Sequence, residues 1–136
     1  EKTDAVNFVT MNGGIVIKES ANQKYTTDAF SRALFTGVCQ NVNVPVQSFA
    51  NRSDVVGGST LGNLSNTQVS VHAVDFGLAQ LAMHSCFETA GVKDTEYAIV
   101  ALIPIANPIT TALTRFCNGN TKESAVIASS LMRATK

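Results

Sequence analysis

Gly13-Gly14-Ile15-Val16-Ile17-Lys18 decides how the first half of the chain is read. A glycine pair is turn chemistry, and a β-branched run directly after it is strand chemistry. Extended backbone is therefore expected over 13–18, and over 5–11 on the other side of the turn. A polar stretch from Asn22 to Asp28 follows. Phe30, Ala33, Leu34, Gly37, Val38 and Asn41 then recur at helical spacing. That spacing predicts an amphipathic helix over 28–41 with this stripe buried. Thr26 or Thr27 is its expected N-cap, with Asp28 in the first turn. Val44-Pro45-Val46-Gln47-Ser48-Phe49-Ala50 reads as a second strand, its proline near the start where a missing N–H is tolerated.

Further on, Asn51 to Gly62 holds three glycines and reads as a loop entering a short helix at 59–64. Val69 to Phe76 is apolar and β-branched, which predicts a strand buried in a sheet. A helix is expected over 94–103, capped by Asp94 or Thr95. Pro104 and Pro108 are expected to bracket a break, with a short helical segment at 109–117. Asn120 and Glu123 have the spacing of a capping box, and Ile127, Ala128, Leu131 and Met132 form one apolar stripe behind it. Strands alternating with helices point to a layered α/β fold, expected as a mixed sheet with helices on both faces.

The 136 residues suffice for one domain. Charged residues make up 15%, against about 25% in an ordinary soluble domain. Part of the surface is therefore expected to be covered by the rest of a larger domain or by another subunit. Net charge is zero with no basic stripe, which argues against a nucleic-acid partner. No Lys/Arg cluster flanks an amphipathic helix, and runs such as Ala98 to Ile103 are too short to span a bilayer, so no membrane partner is expected. The start at Glu1, with no signal-peptide pattern, reads as a cleaved or truncated product. Cys39, Cys86 and Cys117 lack paired spacing and are expected to be reduced, packed as small hydrophobes in a cytoplasmic protein.

Chemistry has few places to sit. His72, inside the expected strand, is read as a hydrogen-bonded sheet residue. His84 follows that strand, and ligands gather beyond the carboxyl ends of strands in α/β sheets. Gly57-Gly58-Ser59-Thr60 lies at a helix start, where backbone N–H groups can approach a ligand; on spacing alone a tight turn with Ser59 as N-cap is the preferred reading. No P-loop lysine and no nucleophile elbow is present.

Taken together the motifs are more specific. Arg52-Ser53-Asp54 leads through Gly57-Gly58-Ser59-Thr60 to Gly62. About a dozen residues later come Val74-Asp75, Gly77 and Gln80-Leu81-Ala82-Met83-His84-Ser85, closing at Glu88. With Gly13 to Asp28 and Asn43 to Phe49, this order resembles the M18 (aspartyl aminopeptidase-like) zinc aminopeptidases over about residues 7–102. The resemblance implies that 1–103 is the C-terminal portion of an α/β zinc-exopeptidase catalytic domain, with 104–136 a helical tail of other origin. It implies removal of N-terminal, acidic residues from peptides, two zinc ions and homo-oligomeric assembly. His84 matches a zinc ligand; Glu88, one helical turn further on if 84–88 is helical, is expected to hydrogen-bond its ring. Lys18 matches the lysine that meets the substrate carboxylate, and Gly57, Gly58, Ser59 and Thr60 lie beside the substrate pocket.

The match is incomplete. The family's remaining ligands and general base come from a His-x-Asp motif, a bridging Asp and a Glu-Glu pair, and neither dipeptide pattern occurs in this sequence. One histidine does not hold a catalytic zinc. The expectation is an inactive chain whose activity needs the missing N-terminal half. A non-catalytic relative serving as an assembly module is the alternative, and an anion-binding module using Gly57–Thr60 a third reading.

Overall fold

The computed structural model describes residues 3–117, with side chains as far as residue 106. Strand β1 (Ile15–Glu19), helix α1 (Ala29–Asn41) and strand β2 (Val46–Ala50) form a β-α-β unit. β1 and β2 run parallel, Ile15 beside Val46 and Glu19 beside Ala50. β3 (Phe76–Gly77) adds to the other side of β1 antiparallel, so the sheet is mixed, in the order β2-β1-β3. α2 (Leu61–Gln68), the hairpin β4 (Gln80–Leu81) with β5 (Thr89–Ala90), and α3 (Val92–Cys117) complete the described chain. The α/β class and mixed sheet expected from the pattern are present.

Ile15 and Ile17 are fully buried and share one face of β1. Phe35 and Cys39 from α1, Val44, Val74, and Ala101 from α3 complete the core against them. Phe35 stacks on Phe76 with ring centroids 4.6 Å apart. Since Phe76 sits opposite Ile17, this contact places α1 over the isoleucine face, and α3 packs against both α1 and β1. The opposite face carries Val16 and Gln47, and Gln47 is bonded to the Thr10 backbone rather than to a helix.

The expected stripe on α1 is off by one position. Ser31, Phe35 and Cys39 are buried, while Phe30 and Leu34 are exposed. One position is about 100° of rotation. The helix is apolar on more than one side, so spacing alone did not set which side faces in; the Phe35–Phe76 stack does. Its N-cap is Asp28, not Thr26 or Thr27. The Asp28 carboxylate accepts from Ser31 N–H at 2.7 Å and the Ser31 hydroxyl accepts from Asp28 N–H at 3.0 Å, a reciprocal box. The two threonines are committed elsewhere, as described below.

Three further expectations change. Residues 69–75 are not a strand: only Phe76–Gly77 ladders to β1, preceded by an isolated bridge between Ala73 and Thr27. Val69 is exposed, and 5–11 lies outside any ladder. α3 begins at Val92, and Asp94 is not its cap. The fully buried Asp94 carboxylate instead accepts from Asn12 N–H at 2.6 Å and Gly14 N–H at 2.9 Å, while Asn12 accepts from Lys93 N–H at the helix start. Nor do Pro104 and Pro108 break the helix, which continues to Cys117. Each proline removes one backbone bond, and the burial of Ala101 with its neighbours Tyr97, Val100 and Ile105 against the core holds the axis across the first of them. The Asn120–Glu123 capping box and the stripe after it lie outside the described residues.

The Asp28 cap supports a pH prediction. Bonding to Ser31 N–H, then to His72, holds the Asp28 carboxyl below its ordinary 3.8. A depressed folded value means that the cap's stabilisation is present above the ordinary value and is lost as pH falls through the folded one. Asp28→Ala is expected to cost about 1 kcal/mol near neutrality. Unfolding compared from about pH 6 down to about pH 3 should show the wild-type advantage shrinking at the acid end.

Candidate functional site

Lys18 is the fourth residue of β1, on the face opposite the core. Its ammonium lies 5.3 Å from the centre of the Tyr25 ring, a cation–π arrangement. The Tyr25 hydroxyl accepts from the Asn51 side-chain amide at 3.2 Å. That amide lies against Gly57, where a Cβ would collide with it. Lys18, Tyr25, Asn51 and the start of the glycine loop thus form one run of contacts across the ends of β1 and β2.

The other end of the loop is anchored at Thr60, the residue before α2. Thr60 makes no side-chain cap to its own helix. Its hydroxyl instead donates to the Asp75 carboxylate at 2.8 Å, and its N–H donates to the Lys24 carbonyl at 3.3 Å. Ser59 accepts from Asn63 at 3.0 Å. Of the residues singled out in the sequence, Lys18 and Gly57 are linked through Tyr25 and Asn51, and Thr60 is tied to Asp75. Tyr25, Asn51 and Asp75, which do the joining, were not singled out. The available signal was Asp75, a lone carboxylate inside an otherwise apolar run.

His84 stands apart, on the exposed loop between β4 and β5. Ala82 and His84 take positive φ, 53° and 69°. Residues 84–88 are not helical, which corrects the role given to Glu88. The Glu88 carboxylate accepts from the His84 backbone N–H, not from its ring. That bond holds the loop across four residues and leaves the imidazole without a hydrogen bond among the described residues. Met83 and Phe87 beside it are exposed. His72 is bonded, Nδ1 to Asp28 at 2.7 Å with its ring 4.8 Å from that of Phe30, but it lies on the surface rather than in a strand.

The resemblance implies zinc, and the fit is partial. Among the described residues no group of three or more His, Cys, Asp or Glu side chains is placed to hold a metal ion. A zinc site needs at least three protein ligands. Among the described residues His84 stands on its exposed loop with no ligand cluster around it. A separate open groove of about 680 Å³, lined by Glu19, Asp28, Arg32 and Gln40 among others, contains none of the predicted site residues.

The cysteines divide. Cys39 is buried, and burial pushes its thiol up to about 11; Cys86, on the His84 loop, is exposed, contrary to the expectation that it packs as a small hydrophobe. Alkylation of the native protein at about pH 8 is therefore expected to modify Cys86 and spare Cys39, as read by peptide mass spectrometry.

A family model described as aminopeptidase I zinc metalloprotease (M18) matches residues 1–103. A probable M18 family aminopeptidase 2 of Clostridium novyi (strain NT) is 46% identical over 99 residues, 73% of this chain and 23% of that protein. Its namesake in Pseudomonas aeruginosa (strain UCBPP-PA14) is 44% identical over 102 residues, 75% of this chain and 24% of that protein. Among solved structures, one described as a cryo-EM structure of the Ape4 and Nbr1 complex superposes with a TM-score of 0.71 at 37% identity, covering 86% of this chain and 21% of that one. A crystal structure of prApe1 gives 0.74 at 25% identity, covering 85% and 24%. The chain belongs to the M18 aminopeptidase family. It spans about a quarter of the length of the curated relatives it matches.

Proposed function

We propose that this chain is the His84-bearing, substrate-facing part of a zinc aminopeptidase that removes acidic N-terminal residues. The observation that carries the reading is the run from Lys18 through Tyr25 and Asn51 to Gly57, with Thr60 tied back on the same side. A lysine ammonium held over a ring, next to a glycine loop, suits a short carboxylate side chain. His84 would be one ligand of the metal pair. Bound zinc would supply an activated water for attack on the peptide carbonyl; the remaining ligands and the general base would come from the part of the relatives' length not represented here. Residues 104–136 are a segment outside that machinery. The free Cys39 and exposed Cys86 suit a reducing compartment such as the cytoplasm. The exposed Phe30 and Leu34 suit coverage by the remaining domain or another subunit.

The reading is tested in the complete M18 polypeptide that carries this chain. Lys18→Ala should raise KM for a glutamyl or aspartyl chromogenic substrate about tenfold, with little change for an alanyl one. An unchanged preference would rule out the acidic-substrate reading.

A further inference from the structure

Asp75 is 5% exposed, and its bonds reach three segments at once. One carboxylate oxygen, Oδ2, accepts from Thr26 N–H at 2.7 Å, Thr26 Oγ1 at 3.0 Å and Thr60 Oγ1 at 2.8 Å. Its carbonyl accepts from Lys18 N–H at 2.8 Å, and its own N–H donates to Thr27 Oγ1 at 2.9 Å. Lys18, the Tyr25–Thr27 segment and the end of the glycine loop therefore meet on one residue. Gly62 completes the fit: a Cβ there would stand 2.6 Å from Thr26 Cγ2 and 3.2 Å from the carboxylate.

A buried carboxylate is costly unless it is hydrogen-bonded, and here the donors are short hydroxyls and an N–H from two segments that also meet at the bond from Thr60 N–H to the Lys24 carbonyl. Charge-assisted bonds of this kind fix position more firmly than neutral ones. We propose that Asp75 is a positioning residue that sets the placement of the Gly57–Thr60 loop relative to Lys18, and through it the preference for acidic substrates. The specificity half of this rests on the function proposed above; the positioning half does not.

Both halves are tested on the complete polypeptide with Asp75→Asn, and with Thr26→Val as the milder variant that keeps the backbone bond. Amide hydrogen exchange over 57–62 should quicken about tenfold in Asp75→Asn and by less in Thr26→Val. The ratio of kcat/KM for glutamyl over alanyl substrate should fall about tenfold in Asp75→Asn, chiefly through KM, with bound zinc unchanged. Lys18→Ala serves as the control, losing the preference without faster exchange. Unchanged exchange over 57–62 in both variants overturns the positioning role. Faster exchange with an unaltered substrate ratio overturns the link to specificity. If Lys18→Ala itself keeps the acidic preference, the proposed function fails, while the exchange rates still decide the role of Asp75.

Discussion

Gly14→Ala is expected to be the most destabilising single substitution in the β-α-β unit, at about 3 kcal/mol or more. Gly14 has φ 106°, where an L side chain is strained, and a Cβ built there falls on the carbonyl of Pro45. That carbonyl cannot simply retreat, because it accepts from Ile15 N–H at 3.0 Å and opens the parallel register of β1 and β2. Gly14 N–H is in turn held by the buried Asp94 carboxylate at 2.9 Å. Moving the turn therefore disturbs the sheet on one side and leaves a buried charge short of a donor on the other. Total domain stability is only about 5–15 kcal/mol, so a large drop in the thermal midpoint, or loss of soluble protein, is the expected readout. A variant that melts like wild type would mean that the turn relaxes in a way this geometry does not allow.

The second large effect concerns chemistry. In the complete polypeptide, His84→Ala should lower turnover of a glutamyl substrate at least about a hundredfold. The reason is the loop. His84 backbone N–H is fixed by Glu88, the residue sits at φ 69°, and its ring has no hydrogen bond among the described residues. The fold thus spends a carboxylate on holding the loop and leaves the imidazole presented. Glu88→Gln keeps an acceptor for the N–H and should lose far less activity than His84→Ala. Equal losses would mean that Glu88 acts in the chemistry and not only on the loop.

The β-α-β half was legible in the sequence because each of its parts is local. The turn glycines, the β-branched Ile15-Val16-Ile17 and the proline before β2 each point to their own conformation. The rotation of α1 was not legible, because Phe35 is chosen over Phe30 by a stack on Phe76, forty-one residues away in sequence and contributed by another element. Residues 69–75 have the composition of a strand, yet Asp75 draws Thr26, Thr27 and Thr60 into side-chain bonds that replace a regular ladder. The hairpin around His84 is set by positive φ at Ala82 and His84, residues that do not advertise such angles. The site was legible only as separate pieces: Lys18 and Gly57–Thr60 were visible, while Tyr25, Asn51 and Asp75 join them through contacts that no spacing reveals.

The most direct measurement is bound zinc, by elemental analysis after dialysis against a fixed low free-zinc buffer, for three proteins: this chain alone, the complete polypeptide, and its His84→Ala variant. The absence of a ligand cluster around His84 among the described residues predicts no stoichiometric zinc on the chain alone. A filled site on the complete polypeptide and a clear loss of zinc in the variant are expected. Zinc bound stoichiometrically by the chain alone, or retained in full without His84, would contradict the account.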